Sequence, residues 1–355
     1  MKVGVLGIGG GTVGMTTYQR TLLDGLRART RYDVSLVAPS DDPSYTLGRS
    51  GPLRAFRNFI GSPDARLHAA VASSDADVYI VNAAWPMPRN VTQWIAVVAE
   101  AVVDETPPWG VHRSSHKRLW TKYLYRALEG ASGIVAISEF TRERLHNSLG
   151  VPLDEIAVAP PALLAFDDAP PPSFAPFVAM VGWFHPRKDL PLALHAWRTA
   201  MERGLDRDLV LAGNEGPDDR LNGTVRRRIL EIAGPELAAR VHHTGPLERA
   251  DLGAILRATD ALLITSTYEG FGIPAIEAFS FGRPVVAVDR GALRDTVAPY
   301  GTVTEPDPSA IADALVNTVR NPSDEAPLIE YAATFDEARQ IGPVIEILDR
   351  LTPAR

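Results

Sequence analysis

Short apolar runs and stretches of helical period alternate along most of the chain. Runs rich in Val, Ile, Leu and Ala predict strands near residues 2–8, 34–38, 77–81, 133–137 and 155–159. Parallel strands covered on both faces read in this way. Between them, the apolar spacing predicts helices near 14–28, 90–100, 116–129 and 140–148; in the first, Met15, Tyr18, Leu22 and Leu26 share one face. The pattern breaks in a Pro-rich stretch, residues 159–172, which reads as a linker. A second series starts with the strand at Phe177 and continues with strands near 209–213, 240–244, 261–265 and 285–288. From Phe335 the chain is helical by period, with Ile341, Val344, Ile345 and Leu348 in step. Alternating strands and helices specify an α/β chain with parallel sheets. At 355 residues the chain suits two domains of Rossmann size rather than one core.

One stretch concentrates the chemistry. After the strand Ala261–Thr265 come Ser266-Thr-Tyr-Glu269-Gly-Phe-Gly-Ile-Pro-Ala-Ile-Glu277, then Gly282-Arg-Pro and a second strand, Val285–Val288. Pro274 suits a first helical turn and Gly282 the cap beyond its end. The amides of Phe271, Gly272 and Ile273 would open toward the carboxyl end of a parallel sheet, where a helix dipole favours an anion. Gly270 and Gly272 let a phosphate approach the backbone. A carboxylate one turn inside the helix, Glu277, can accept two hydrogen bonds from a ribose diol. Glu269, in the loop, can grip a second polyol beyond the phosphates. A nucleotide diphosphate sugar carries these parts in this order.

The spacing Glu269 to Glu277, around Glu-Gly-Phe-Gly-Ile-Pro-Ala-Ile-Glu-Ala, resembles the signature of retaining glycosyltransferases of family 4, which have the GT-B fold. The likeness extends through Gly282-Arg-Pro-Val-Val-Ala, Gly245-Pro-Leu247, Asp251-Leu, Leu211-Ala-Gly-Asn214 and Val181-Gly-Trp-Phe-His-Pro-Arg-Lys-Asp-Leu190. It is specific over the second half of the chain and looser over the first. The resemblance implies two Rossmann-like parallel-sheet domains facing each other across a cleft. Residues 1–165 would form the acceptor-side domain, 166–338 the nucleotide-sugar domain, and 339–355 a helix crossing back to the first. It also implies transfer of a sugar, with retention and without a metal, from a nucleotide diphosphate sugar to a hydroxyl. No separate cofactor is expected.

The same resemblance assigns further residues. Gly182 with Arg187 and Lys188 would carry the positive charge that stabilises a departing diphosphate; only four lysines occur in the chain. Gly213 and Asn214 would line the donor site, and Gly245, Pro246 and Leu247 the base pocket. Gly10, Gly11 and Thr12 in the first glycine-rich loop would face the donor phosphates and acceptor. Asp104 would hold an acceptor or donor hydroxyl. Two departures stand out. Trp183 occupies the position after the loop glycine where many members carry Arg, and Val103-Asp104 stands where many carry His-Asp. These keep a catalytically silent, nucleotide-sugar-binding family member or partner subunit open as the alternative.

Gly9-Gly-Gly-Thr-Val-Gly14 also fits the dinucleotide fingerprint and so raises an NAD(P)-dependent oxidoreductase. The second strand, however, ends Leu36-Val-Ala-Pro-Ser40, with Asp41 only in the loop beyond it, so the ribose-binding acid is out of place. The net charge of −7 argues against nucleic acid as a partner. The absence of Cys excludes disulfides and thiolate chemistry and favours a cytoplasmic setting. No apolar run reaches the roughly 18 residues of a membrane span. His112 and His116 lack a zinc protease's Glu, and His242 and His243 would point to opposite faces of a strand, so none is assigned to a metal. On the acceptor side, Trp85, Trp109 and Trp120 could stack on sugars. Arg54 and Arg57 beside Leu53, Phe56 and Ile60, and Lys117, Arg118, Lys122 and Arg126, are basic faces compatible with an anionic or lipid-linked acceptor and peripheral membrane contact.

Overall fold

The computed structural model describes residues 1–7, 13–38, 65–83, 87–101, 114–174, 176–215 and 225–352. These fall into two bodies. One holds the described residues through Ala162 together with those from Phe335 onward; the other is Leu163–Thr334.

The first body comprises β1 (Lys2–Leu6), α1 (Val13–Arg29), β2 (Asp33–Val37), α2 (Ala65–Ala72), β3 (Val78–Asn82), β4 (Trp94–Val98), α3 (Ser114–Leu128), β5 (Gly133–Ala136), α4 (Glu139–Leu149) and β6 (Ile156–Val158). Its six strands are parallel in the order β2-β1-β3-β4-β5-β6. That is the flavodoxin-like order, whose switch point lies between β1 and β3. The carboxyl-terminal helix Glu337–Leu351 belongs to this body. It lies on α1, where Gln340 donates from Nε2 to the Tyr18 carbonyl at 3.0 Å, and Ile341, Val344 and Leu348 are buried.

The helix expected near 90–100 is a strand instead. Trp94–Val98 pairs with β3 on one side and β5 on the other, and Ile95 and Ala96 are fully buried. A run apolar on every side satisfies either period; the β-branched Ile95, Val97 and Val98 and its brevity suit the strand. Trp94 reaches out of this strand to donate its indole N–H to the Ala127 carbonyl of α3 at 2.7 Å.

The second body comprises β7 (Phe177–Val181), α5 (Leu190–Glu202), β8 (Asp208–Ala212), α6 (Val225–Ala238), β9 (Val241–Gly245), α7 (Arg249–Ala258), β10 (Ala261–Ile264), α8 (Ile273–Phe279), β11 (Val285–Val288), α9 (Leu293–Val297), β12 (Thr302–Thr304), α10 (Pro308–Arg320) and α11 (Glu325–Ala333). Here the parallel order is β12-β11-β10-β7-β8-β9. This is the Rossmann order, and its switch point falls between β7 and β10. The central strands are buried along their whole length, which is why each reads as an unbroken apolar run. The chain after Ala162, part of the expected linker, is held against this body through residues 164–166.

Candidate active site

The loops that leave β7, β8, β9 and β10 all emerge at the carboxyl edge of the second sheet, because the strands are parallel. At the switch point, two of them are strapped together. Pro186–Lys188 forms a single 3-10 turn after β7. Thr265 Oγ1 donates to the Lys188 carbonyl at 2.8 Å, and the Thr267 amide donates to the Arg187 carbonyl at 2.8 Å. This brings Lys188 Nζ to 2.8 Å from Glu269 Oε1, with both side chains only 10% exposed. Ser266 Oγ donates to the same carboxylate oxygen at 2.7 Å. Burial pushes the Glu269 carboxyl up, but the Lys188 and Arg187 charges and the two hydrogen bonds outweigh it and hold the pKa down at about 2.

Small residues make this packing possible. A Cβ on Gly182 would sit 2.8 Å from Lys188 Cε, and one on Gly213 only 1.7 Å from the Gly182 carbonyl oxygen. Gly213 also adopts φ 145°, a conformation side-chain-bearing residues rarely hold.

Eight residues past Glu269 in sequence, Glu277 is buried inside α8, which starts with Gly272 in the left-handed region and Pro274 in its first turn. Arg249 NH1 donates to Glu277 Oε1 at 2.9 Å. Burial outweighs the Arg249 charge and hydrogen bond, so the Glu277 pKa is raised, less than it would be without them. Thus each of the two carboxylates singled out in the sequence is already engaged with a cation. Arg249 and Ser266 escaped the sequence reading. The only signals for them were an Arg four residues after the Gly245 turn and a Ser three before Glu269.

The remaining expected residues divide. Gly270, Phe271 and Gly272 are buried in the loop, and Ile273 is half-buried at the helix start. Gly213 bridges Gly245, which has φ 71°, and Phe184 bridges Glu215, so the loops after β7, β8 and β9 form one cluster. Asn214 is exposed and accepts the Phe184 amide at 2.8 Å through its carbonyl; Pro246 is exposed and Leu247 half-buried. Trp183 donates its indole N–H to the Glu215 carbonyl at 2.8 Å and is 43% exposed. His242 pairs with Asp208 at 2.7 Å, and His243 Nε2 lies 2.8 Å from the Gly213 carbonyl. Among the described residues no group of three or more His, Cys, Asp or Glu could hold a metal, and no helix is long and apolar enough to cross a membrane. Gly10, Gly11, Thr12 and Asp104 lie outside the described residues, as do Trp85, Trp109 and the basic stretch 53–60. On α3, Lys122 and Arg126 are exposed while Leu124 and Ala127 are buried.

Comparison with known proteins places this geometry in a family. The family pattern described as glycosyl transferases group 1 matches residues 166–335, and that of glycosyltransferase family 4 matches residues 12–163. The chain belongs to glycosyltransferase family 4. Among curated relatives of this family-4 chain, the O-antigen chain mannosyltransferase B of Escherichia coli is 28% identical over 60% of the chain and 58% of its own length. The phosphatidyl-myo-inositol mannosyltransferase of Mycobacterium leprae is 27% identical over 87% of the chain and 84% of its own length. The chain therefore spans less than two thirds of the first of these relatives and most of the second. Among solved structures, sucrose-phosphate synthase from Thermosynechococcus elongatus superposes with a TM-score of 0.76 at 19% identity, covering 99% of this chain and 100% of that one. Anabaena Alr3699/HepE in complex with UDP and glucose gives 0.70 at 18% identity, over 99% and 100%. Both likenesses speak to the fold: the family-4 chain has the GT-B architecture of two parallel-sheet α/β domains.

Proposed function

We propose that this family-4 chain transfers a hexose from a nucleotide diphosphate sugar to an acceptor hydroxyl, with retention at the anomeric carbon and without a metal. The observation that carries the reading is the buried Lys188–Glu269 pair at the switch point of a Rossmann-ordered sheet, on the same loop-and-helix unit as a second buried carboxylate, Glu277. Switch points of open parallel sheets are where nucleotides bind. The complex of HepE with UDP and glucose supports a nucleotide-sugar donor, and the mannosyltransferase relatives support a hexose.

In this reading Glu277 accepts the ribose hydroxyls and Gly245–Leu247 line the base. Glu269 holds donor-sugar hydroxyls. Lys188, Arg187 and the amides of residues 271–273 take up the charge that develops on the diphosphate, the task a divalent cation performs in other transferases. Gly182, Gly213 and Asn214 line the donor site. The acceptor oxygen attacks C1 on the face the diphosphate leaves. The C1–O bond to phosphate breaks, a new C1–O bond forms, and the acceptor proton passes to the departing phosphate oxygen. The acceptor is a glycan, lipid-linked or polyol hydroxyl, in keeping with relatives named for O-antigen chains and phosphatidyl-myo-inositol. The reaction would run in the cytoplasm, where charged nucleotide sugars are held, with Lys122 and Arg126 available for contact with an anionic acceptor or membrane surface.

A second reading, a silent nucleotide-sugar-binding member, is favoured by Trp183 in place of a phosphate-binding Arg. The two separate in one assay. Incubation with a donor panel and EDTA should release nucleoside diphosphate, and Lys188→Ala should abolish that release. Binding without release by the wild type would select the silent reading.

A further inference from the structure

Arg249 engages all three nitrogens of its guanidinium and one aromatic face. NH1 binds the buried Glu277 carboxylate, Nε donates to the Ala165 carbonyl at 2.9 Å, and NH2 donates to the Leu164 carbonyl. Its guanidinium lies 3.8 Å from the centroid of the Phe166 ring. Phe166 in turn packs on Phe281 at 5.2 Å, and Arg257 covers Phe281 from 4.8 Å. Gly253 on α7 leaves room for Phe166, since a Cβ there would come within 2.8 Å of its ring. One guanidinium thus joins the helix that carries Glu277 to the segment just after Ala162.

We propose that Arg249 is a positioning residue of the nucleotide site: it aims the buried Glu277 carboxylate at a ribose diol and supplies its countercharge, and it makes that arrangement depend on the seating of residues 164–166. The inference rests on the reading of Glu277 as the ribose acceptor and adds the residue that sets its protonation and orientation.

Arg249 occupies Oε1 of Glu277, and among the described residues Oε2 carries no hydrogen bond. A carboxylate has acceptor sites to spare, so a diol can bind with Arg249 still in place. Charged groups on the elements packed around α8 do not substitute for it. Arg257 pairs with Asp168, Arg294 with Asp289, and Arg283 with Glu325, while Glu269 is paired with Lys188. Asp251, Asp295 and Glu330 on α7, α9 and α11 are acids and could only disfavour a second anion. Without Arg249, a carboxyl this deeply buried takes up a proton, loses an acceptor site and ceases to prefer a diol. Methionine at this position would also leave the Leu164 and Ala165 carbonyls without their donor.

The test is a calorimetric titration of UDP, GDP, ADP and dTDP between pH 6 and pH 9, with wild type, Arg249→Met, Arg249→Lys and Glu277→Gln. The wild type should bind one of these, with an affinity that falls less toward pH 6 than that of any variant lacking the Arg249 charge. Arg249→Met should bind it about tenfold or more weakly at pH 6 and recover as pH rises, since one unit of pKa is a tenfold change in the ionised fraction. Arg249→Lys, which keeps the charge but not the fork, should bind with intermediate affinity and a pH profile close to that of the wild type. Glu277→Gln should bind weakly at every pH. If Arg249→Met fails to fold, Arg249→Gln takes its place with the same expected profile. Wild-type affinity and a wild-type pH profile in the uncharged variant would overturn the proposal while leaving the nucleotide site standing. Absence of nucleotide binding by the wild type would bring down both.

Discussion

Lys188 Nζ sits 2.8 Å from Glu269 Oε1 across two loops that are 81 residues apart in sequence. Neither side chain is more than 10% exposed, so each is the other's main source of countercharge. Such a pair is costly to break from one side, because the remaining ion stays buried without compensation. Lys188→Met should therefore destabilise the second body by about 3 kcal/mol. Adding Glu269→Gln should return part of that loss, so the double variant falls short of the sum of the singles. Urea unfolding of the four proteins checks this.

The same pair sets a pH dependence with a definite sign. The folded Glu269 carboxyl has a pKa of about 2, below its ordinary 4.5. A group depressed in this way contributes stability that is fully present above about pH 4.5 and is lost as pH falls toward 2. In Lys188→Met the strongest countercharge on Glu269 is gone and its pKa rises from about 2, so the variant should lose less stability than wild type on acidification. Unfolding midpoints from pH 6 down to pH 3 should converge; parallel curves would contradict the assignment.

Gly213 and Gly150 both have positive φ, but only one is crowded. A Cβ at Gly213 would meet the Gly182 carbonyl oxygen at 1.7 Å, whereas at Gly150 nothing lies within 4 Å. Gly213→Ala should cost more than about 3 kcal/mol through backbone displacement at the β7–β8 edge. Gly150→Ala should cost only about 1 kcal/mol, the left-handed penalty alone. Thermal melts of the two variants make the comparison.

Trp183 projects from the loop whose next charged members are Arg187 and Lys188, and it is 43% exposed. If it stands where a phosphate-binding cation would, Trp183→Arg should tighten nucleoside diphosphate binding several-fold while leaving nucleoside binding unchanged. A loss of affinity for both would instead make the indole part of the binding surface.

Much of this was legible in the sequence because of how parallel sheets are built. Strands such as Leu209–Ala212 and Val285–Val288 are buried on both faces, so they appear as continuous apolar runs. The loop from Thr265 to Ile273 announced itself through its glycines and Pro274, whose roles are local. Other features depended on the fold. Trp94–Val98 was ambiguous because a run without polar positions has no period. The short edge strand Thr302–Thr304 is partly exposed and carries no apolar run. The cations on the two glutamates were hidden by sequence separation: 81 residues for Lys188 and Glu269, 28 for Arg249 and Glu277. Spacing along a chain identifies a carboxylate with something to bind; only the packed loops reveal what already binds it.

The most direct test of the central claim is a crystal structure of the chain with whichever nucleoside diphosphate stabilises it most. The account predicts the diphosphate beside Lys188 and the start of α8, with both ribose hydroxyls within hydrogen-bonding distance of Glu277. A nucleotide bound by the glycine-rich sequence of residues 9–14, with Glu277 untouched, would contradict it.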